Sequence, residues 1–578
     1  MGFVDAVKSR IRPTAAADDA DAVAEVPAQA DENAVDMDEK LPHTEQTGVA
    51  TIEAAQAIWG KTGRYLIIAG LAMIMILYEL DNSTVYVYNN YSTSSFNALS
   101  KLATLSTAST IIFAVVKPPI AKLSDVIGRG YTYVITISFY ILAYILMASA
   151  TSINSYAAGS VFYSVGQSGT NIMNDIVISD ITTARWRAFA IGLSFFPFLI
   201  TPWVSAFIVD SVVRVGGIGW RWGIGMFAIL MPVGATFIIS TLLRYEGRAR
   251  KMRLVPKIRP TLYEFCSRID LGGIILFSGG LALLLLPMTL AATTPAQWRT
   301  PWLDALIAVG GVMLIALVFY ERYVAVHPVV PVRYFTNRTI SICLFLIATD
   351  SLGFSCTHTY LYAWASISHN LSARNTTFLI YTNGAMQCLV GIVAGLAMAR
   401  LRRYRILTAA GAVVRLIGYG VMLRLRGAEN SLGELIAVQL IQGIGSGIIQ
   451  TCMLVPAQIS VPHAEMAQVT ALLICFSFLG SSIGSCIAGG IYTNTLKPAL
   501  WHHLGNNASA QLVDSLFNSI TGVVPAWGTA ARTAVNFAFT DVLRYMTYTA
   551  LGSSIPAVFV VWLMPNHKLP DRNNLVEG

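Results

Sequence analysis

Residues 121–129 read A-K-L-S-D-V-I-G-R and lie between two apolar runs at about 102–120 and 131–150. A carboxylate, Asp125, and a guanidinium, Arg129, stand four residues apart, with Gly128 between them able to take the backbone angles of a tight turn. Charges pinned between two membrane-length segments are costly unless they pair or stay in water. The stretch is therefore either a loop whose two charges act together or a short wet connection that carries them by chance.

Outward from this loop, the rest of the chain reads as membrane. Of 578 residues, 55% are hydrophobic and only 12% charged, and the mean hydropathy is +0.59. Soluble chains carry about 25% charged residues. Apolar runs long enough to cross a bilayer as helices recur from Arg64 onward. About fourteen spans are expected, near 65–88, 102–120, 131–150, 156–178, 187–210, 222–243, 272–291, 302–320, 339–364, 377–399, 406–423, 433–455, 467–491 and 546–564. The fold class is an all-α membrane protein.

The net charge of +8 conceals a split. Residues 1–63 hold 12 acidic and 5 basic side chains, a balance of −7, so the remainder carries +15. That segment has no sustained apolar run and no charged-then-apolar leader, and it reads as a disordered cytosolic tail. The basic excess gathers in loops. One follows the sixth span, from Arg244 through Arg248, Arg250, Lys251, Arg253, Lys257 and Arg259 to Arg268; another follows the tenth, at Arg400, Arg402, Arg403 and Arg405. Positive loops stay inside, so both termini, including 566–578, are expected in the cytosol. Nucleic acid is not an expected partner. Sequons at Asn82, Asn90, Asn370, Asn375 and Asn507 fall near expected outer loops, and Asn337 falls inside. The seven cysteines show no C-x-x-C spacing and read as small buried hydrophobes; no metal cluster, cofactor motif or P-loop is present in the sequence, and no enzymatic constellation emerges.

Polar residues inside the spans are the site candidates. Tyr163, Gln167, Asn171 and Asn174 or Asp175 share one face of the fourth span. Such a face either lines a cavity or bonds neighbouring helices. The first span ends in Y-E-L-D-N-S-T-V-Y-V-Y, which places Glu79 and Asp81 beside Tyr78 and Tyr86. A carboxylate taken out of water holds a proton more readily, so either is a candidate proton carrier, or Asp81 sits at the wet interface. Asp350 lies mid-span in the ninth segment, followed by His358, Tyr360, Tyr362 and Trp364. It is protonated, paired or facing substrate, and the aromatics line a pocket or form an interface belt. Residues 492–545 make an unusually long connection, in which Leu512, Leu516, Ile520, Val523 and Val524 follow helical spacing. A structural lid and a substrate gate explain this segment equally well. The fourth and twelfth spans also echo each other at one constant offset: Ser168 with Ser446, Gly169 with Gly447, Val177 with Val455, Ile181 with Ile459, and Asp180 opposite Gln458.

The opening loop resembles the G-x-L-a-D-r-x-G-R-k motif of the major facilitator superfamily. Leu123, Asp125, Gly128 and Arg129 match, while Ala121 and Val126 depart from it. Over about residues 60–565 the chain is similar to the fungal siderophore-iron transporters of that superfamily. L-Y-E-L-D-N-S-T from Leu77, N-D-I-V-I-S-D-I-T-T-A-R-W-R from Asn174 and G-W-R-W-G-I-G-M-F-A-I-L-M-P-V from Gly219 carry the likeness. The resemblance implies two six-helix bundles, 64–243 and 338–565, joined through 244–337 by a basic loop and two additional helices. It implies a monomer in the plasma membrane that imports an intact ferric siderophore with protons. The leading substrates are hydroxamates of the fusarinine or ferrichrome type. Asp125, Gly128 and Arg129 would then brace a gate; Glu79, Asp81, Asp175 and Asp350 are the proton-coupling candidates. Tyr78, Tyr86, Tyr163, Gln167, Asn171, Tyr360, Tyr362 and Trp364 are the pocket candidates. A multidrug:proton exporter of the same fold is the alternative, although the arginine such exporters place near Tyr163 is missing and their fifth-span motif is poorly matched by Gly192, Pro197 and Pro202. A nutrient receptor signalling through its tail is a third reading.

Overall fold

The computed structural model describes residues 47–181, 193–194, 196–214, 216–252, 264, 266–267, 270–290, 299–325, 333–461, 466–505, 508–522 and 524–566, and leaves a few side chains among them, Asp125 included, outside the description. The described residues form helices and connections, without a strand. Residues 1–46 of the expected tail 1–63, residues 567–578 of the expected tail 566–578, and much of the basic loop, at 253–263, lie outside them.

The N-terminal half contains α1 (Thr47–Ser95), α2 (Leu102–Ile127), α3 (Arg129–Ala148), α4 (Ile153–Ile181), α5 (Thr201–Val213) and α6 (Phe227–Lys251). Next come α7 (Leu271–Leu290) and α8 (Pro301–Tyr323). The C-terminal half contains α9 (Arg338–His358), α10 (Ala373–Leu401), α11 (Arg405–Leu425), α12 (Leu432–Ile459), α13 (Met466–Leu504) and α14 (Ala530–Val560). Every expected span overlaps one of these helices. Eleven segments among the described residues are long and apolar enough to cross a membrane, whereas α5 and α7 are shorter apolar helices. The remaining one, α4, carries the polar stripe.

Local chemistry sets several boundaries. The Asn337 side chain caps α9 by accepting from the amides of Thr339 and Ile340, and Ser431 with Glu434 forms a reciprocal capping box at the start of α12. At Gly128 φ is +106°, so this one residue ends α2 and starts α3 in a backbone shape that other residues resist.

Two boundaries differ from the sequence expectation. First, α1 begins at Thr47, well inside the stretch read as tail, and bends at Gly60, where φ is +56°. Ile52, Ala55 and Trp59 recur on one helix face and are buried, with Trp59 edge-on to Tyr245. The acidic composition upstream hid this short apolar stripe. Second, α13 and α14 extend well past their expected ends, which shortens the long connection from 492–545 to 505–529. Within it, the helix Ala510–Asn518 buries Val513, Leu516 and Phe517, and Tyr492 donates from its hydroxyl to the Phe517 carbonyl. The amphipathic helix read from Leu512 and Leu516 is therefore present; Val523 lies outside the described residues.

The halves meet mainly where α2 crosses α13. Ser106 pairs with Ser485, Thr110 with Ser482, and the rings of Phe113 and Phe478 stand 4.5 Å apart. Inside each half, small residues permit close crossings. Gly166 on α4 meets the backbone of Tyr140 on α3, as Gly445 on α12 meets that of Arg415 on α11. The two bundles thus repeat one crossing, which agrees with the sequence echo between the fourth and twelfth spans. In the C-terminal half, a methyl added to Gly480 would run into the Ala348 carbonyl oxygen, so α9 and α13 touch backbone to backbone.

Gly480→Ala is expected to destabilise the detergent-solubilised protein by about 1–3 kcal/mol, seen as a lower melting temperature. Gly552→Ala, where nothing lies within 4 Å of the added methyl, should leave melting unchanged. Equal melting of both variants would refute the close crossing.

Candidate functional site

Asp81 is the centre of the N-terminal half. It is fully buried, and the Tyr163 hydroxyl donates to its Oδ2 at 2.8 Å. Tyr140 and Tyr144 close around Tyr163, with ring centres 5.3–6.0 Å apart. A carboxylate at this depth must be bonded or protonated; the Tyr163 hydroxyl of this tyrosine cage bonds one oxygen of Asp81, and Oδ1 has no hydrogen-bond partner among the described residues. This placement excludes the wet-interface alternative for Asp81. Glu79 is also buried, at 7% exposure, as is Tyr78.

Beside the cage a cavity of about 160 Å³ opens between the halves. It is lined by Asn82, Asn89, Asn90, Ser106, Ser109, Thr110, Ser160, Gln167, Tyr86 and Tyr163, with Leu102, Leu105, Met147 and, from the C-terminal half, Thr359. Eleven of the fourteen lining residues carry an amide or a hydroxyl, and none of them is charged. Its walls are tied together: Gln167 donates to Asn82 at 3.1 Å, and the Tyr156 hydroxyl donates to Asn89 at 2.6 Å. Of the eight pocket candidates, Tyr86, Tyr163 and Gln167 line this cavity. The other tyrosines and the tryptophan do different work. Tyr362 pairs with Tyr91 across the halves at 2.8 Å, Tyr360 stacks on Tyr492 at 3.9 Å, and Trp364 donates to Thr540 at 3.1 Å. These three are buried packing residues, neither exposed belt nor cavity wall. The sequons at Asn82, in the cavity wall, and Asn90, 2% exposed, are closed to glycosylation.

Asp350 has a partner that the sequence reading missed. Arg415, on α11, lies 2.9 Å away, both side chains being almost wholly buried. Ser446 and Gln450 donate to the other carboxylate oxygen at 2.7 and 2.9 Å. Of the three states left open for Asp350, the paired one is observed. That argues against it as a proton carrier, because releasing the carboxylate would strand a buried guanidinium. Ser446 thereby gains a use beyond the repeat.

At the opening loop, Arg129 is 4% exposed, and its Nε donates to Asp180 of α4 at 3.0 Å while Nη1 donates to Ser124 at 2.9 Å. Glu246, from the end of α6, accepts the Gly130 amide at 3.0 Å. Arg129 is thus anchored within its own half through Asp180; the side chain of Asp125, the other charge of the expected gate motif, lies outside the described residues. Asp180 sits at the end of α4 nearest Arg129, one residue before the helix ends.

Sequence reasoning also passed over Lys117. It stands near the end of an apolar run, yet it is 5% exposed. Its ammonium donates to Asn171 at 2.6 Å and lies over the rings of Phe113 and Phe478. Asp175, one turn beyond Asn171 and half-buried, is its electrostatic partner. A lone lysine inside a span is itself a functional signal. Asn171 therefore serves as a ligand to this lysine, beyond the cavity wall. The described residues contain no group of three or more His, Cys, Asp or Glu able to hold a metal.

The Major Facilitator Superfamily profile matches residues 68–485. The chain is 30% identical to MFS siderochrome iron transporter C of Aspergillus fumigatus, over 91% of this chain and 87% of that one. It is 32% identical to Low affinity heme transporter str3 of Schizosaccharomyces pombe, over 94% and 88%. It is 30% identical to Siderophore transporter fer7 of Mycosarcoma maydis, over 92% and 85%. Among solved structures, a bacterial homolog of the human lysosomal transporter Spinster, inward-facing and unoccupied, superposes with a TM-score of 0.57 at 14% identity, covering 87% of this chain and 97% of that one; the likeness concerns the fold alone. The chain belongs to the Major Facilitator Superfamily and, with transporter C and fer7, to its fungal siderophore-iron transporter family; it is a multi-pass membrane transporter and not an enzyme.

Breaking the C-terminal ion pair from one side should cost about 3–5 kcal/mol, so Asp350→Leu is expected to vanish from the membrane fraction. Asp350→Leu with Arg415→Met removes both charges and should restore the folded protein, measured by fluorescence-detected gel filtration. Equal losses in the single and double variants would contradict a role for the pair as a bolt.

Proposed function

We propose that this chain imports an intact ferric siderophore, with protons, across the plasma membrane by alternating access of its two halves. Relatives at about 30% identity whose names describe siderochrome or siderophore transport support the substrate class. In this reading the protein acts as a monomer with both termini in the cytosol, and the basic residues after α6 and α10 support that orientation.

The observation that carries the reading is the uncharged, amide- and hydroxyl-rich cavity at the seam. Hydroxamate anions cancel the charge of ferric iron, which leaves a neutral chelate studded with amides and carbonyls. Such a chelate matches these walls, whereas an ion entering them would lose its hydration without finding a counter-charge. The iron stays inside its chelator, so the transporter needs no metal ligands of its own. At about 160 Å³ the cavity is smaller than the roughly 300–1,000 Å³ of drug-sized sites, so the halves must part before a chelate can enter.

Asp81 is the proton carrier in this mechanism. Tyr163 both lines the cavity and bonds Asp81, so a single hydroxyl links the cavity to the carboxylate. Glu79 is the second candidate, close by on the same helix. Arg129, Gly128 and Asp125 keep the gating role, now with Asp180 as the anchor of Arg129.

Heme is a second reading, favoured by the 32% identical relative from Schizosaccharomyces pombe. Its propionates would require cations, and none of the described cavity residues supplies one.

Iron-starved cells expressing the chain should accumulate radioiron from ferrichrome- or fusarinine-type chelates, and a protonophore should abolish the uptake. Asp81→Asn should lower that uptake by about 5- to 150-fold, the span of ordinary coupling free energies, with normal protein at the surface. Uptake of heme but not of chelates, or chelate uptake indifferent to both protonophore and Asp81→Asn, would overturn the proposal.

A further inference from the structure

Lys117 occupies a place that the transport cycle described so far does not use. It lies two turns beyond Thr110 along α2, and Asn171 lies one turn beyond Gln167 along α4. Both Thr110 and Gln167 line the cavity. The bond from Lys117 to Asn171 therefore sits immediately past the cavity, on the side of Gly128 and Arg129. At the same level Phe113 of α2 meets Phe478 of α13, the one ring from each half, and the Lys117 ammonium lies 4.7 Å and 5.4 Å from their centres. The lysine thus touches both halves, with Asp175 as its counter-charge within its own half.

We propose that Lys117 is the residue through which the charge on Asp175 sets the closure of the seam between the halves. While Asp175 is ionised, the lysine is neutralised, and its alkyl chain and ammonium remain packed under the Phe113 and Phe478 pair. Once Asp175 takes up a proton, the ammonium keeps its charge but loses its counter-charge. A buried cation without one is costly, and the cheapest relief is water. Withdrawal of Phe478 admits water to Lys117 and parts α2 from α13 on the side toward Arg129. The proton moves onto a carboxylate oxygen of Asp175 and is released from it later; no other bond forms or breaks. Among the described residues, the titratable groups recorded around the pair are Cys475 of α13 beside Lys117, and Tyr78 of α1 and Tyr133 of α3 beside Asp175. The Tyr133 hydroxyl is already committed to Asn174, at 2.7 Å.

This inference rests on the proton-coupled reading above, yet its test needs neither substrate nor transport. Cys475 is a native free thiol, 6% exposed, on the seam next to Lys117. Its alkylation by N-ethylmaleimide in membranes holding the full-length protein, followed by peptide mass spectrometry, reports seam opening. The fully buried Cys343 serves as the internal reference. Asp175→Asn, which mimics the protonated carboxylate, should speed Cys475 labelling by about fivefold or more. Adding Lys117→Met to Asp175→Asn should restore the protection seen in the natural protein, because no cation is then left stranded. Unchanged labelling in Asp175→Asn, or labelling as fast in the double variant, overturns the proposal. Should Asp175→Asn fail to reach the membrane, the ratio of Cys475 labelling in the natural protein to that in Lys117→Met decides. That ratio should rise as pH falls, and a flat ratio overturns the proposal. Either failure leaves chelate import to be judged by the uptake screen alone.

Discussion

Four charges that this chain buries among its helices are each answered by a neighbouring helix, and those answers hold each half together. Asp81 is met by Tyr163, Asp350 by Arg415, Arg129 by Asp180 and Lys117 by Asn171, each bond joining helices far apart in the chain. Arg426 obeys the same rule by donating to the Thr357 carbonyl at 2.7 Å while lying over the Trp364 ring. Water cannot make up for a lost partner at these depths, so the register between helices is set by these few polar contacts. Apolar packing then fills the space around them.

The bonds between the halves are of a different kind. Asp350 with Arg415 and Arg129 with Asp180 each lie inside one half, at the close range of charge-assisted bonds. Across the seam run hydroxyl pairs, Ser106 with Ser485 and Thr110 with Ser482, and tyrosine contacts such as Tyr381 donating to the Ser83 carbonyl. Hydroxyl bonds exchange readily with water at little net cost, whereas separating a buried ion pair is expensive. The division favours two bodies that stay intact while the interface between them opens and closes. Lys117, in contact with rings from both sides, and Arg374, over the ring of Phe207, are cations that reach across the seam.

Membrane residence, the helical class and the positions of the helices were legible in the sequence, because a bilayer admits few backbone solutions and each leaves a long apolar signature. Asp81 and the stripe through Tyr163, Gln167 and Asn171 were legible for the complementary reason, since polar groups in such segments stand out. Trp364, Tyr360 and Tyr362 misled, because an aromatic cluster near a helix end reads alike whether it faces ligand, lipid or another helix. Lys117 and Arg415 escaped because each looked like the margin or the accident of an apolar run.

From sequence alone followed the period, the length and the polarity of each helix, which depend on neighbours a few residues away. The tertiary structure decided which helix faces which: that Arg415 neutralises Asp350, that Arg129 is anchored on Asp180, and that Lys117 lies under rings from both halves. These pairings join residues between about 50 and several hundred positions apart, and no local periodicity encodes them. They follow from the packed bundle, where a charge removed from water takes whatever partner the crossing of two helices brings within reach.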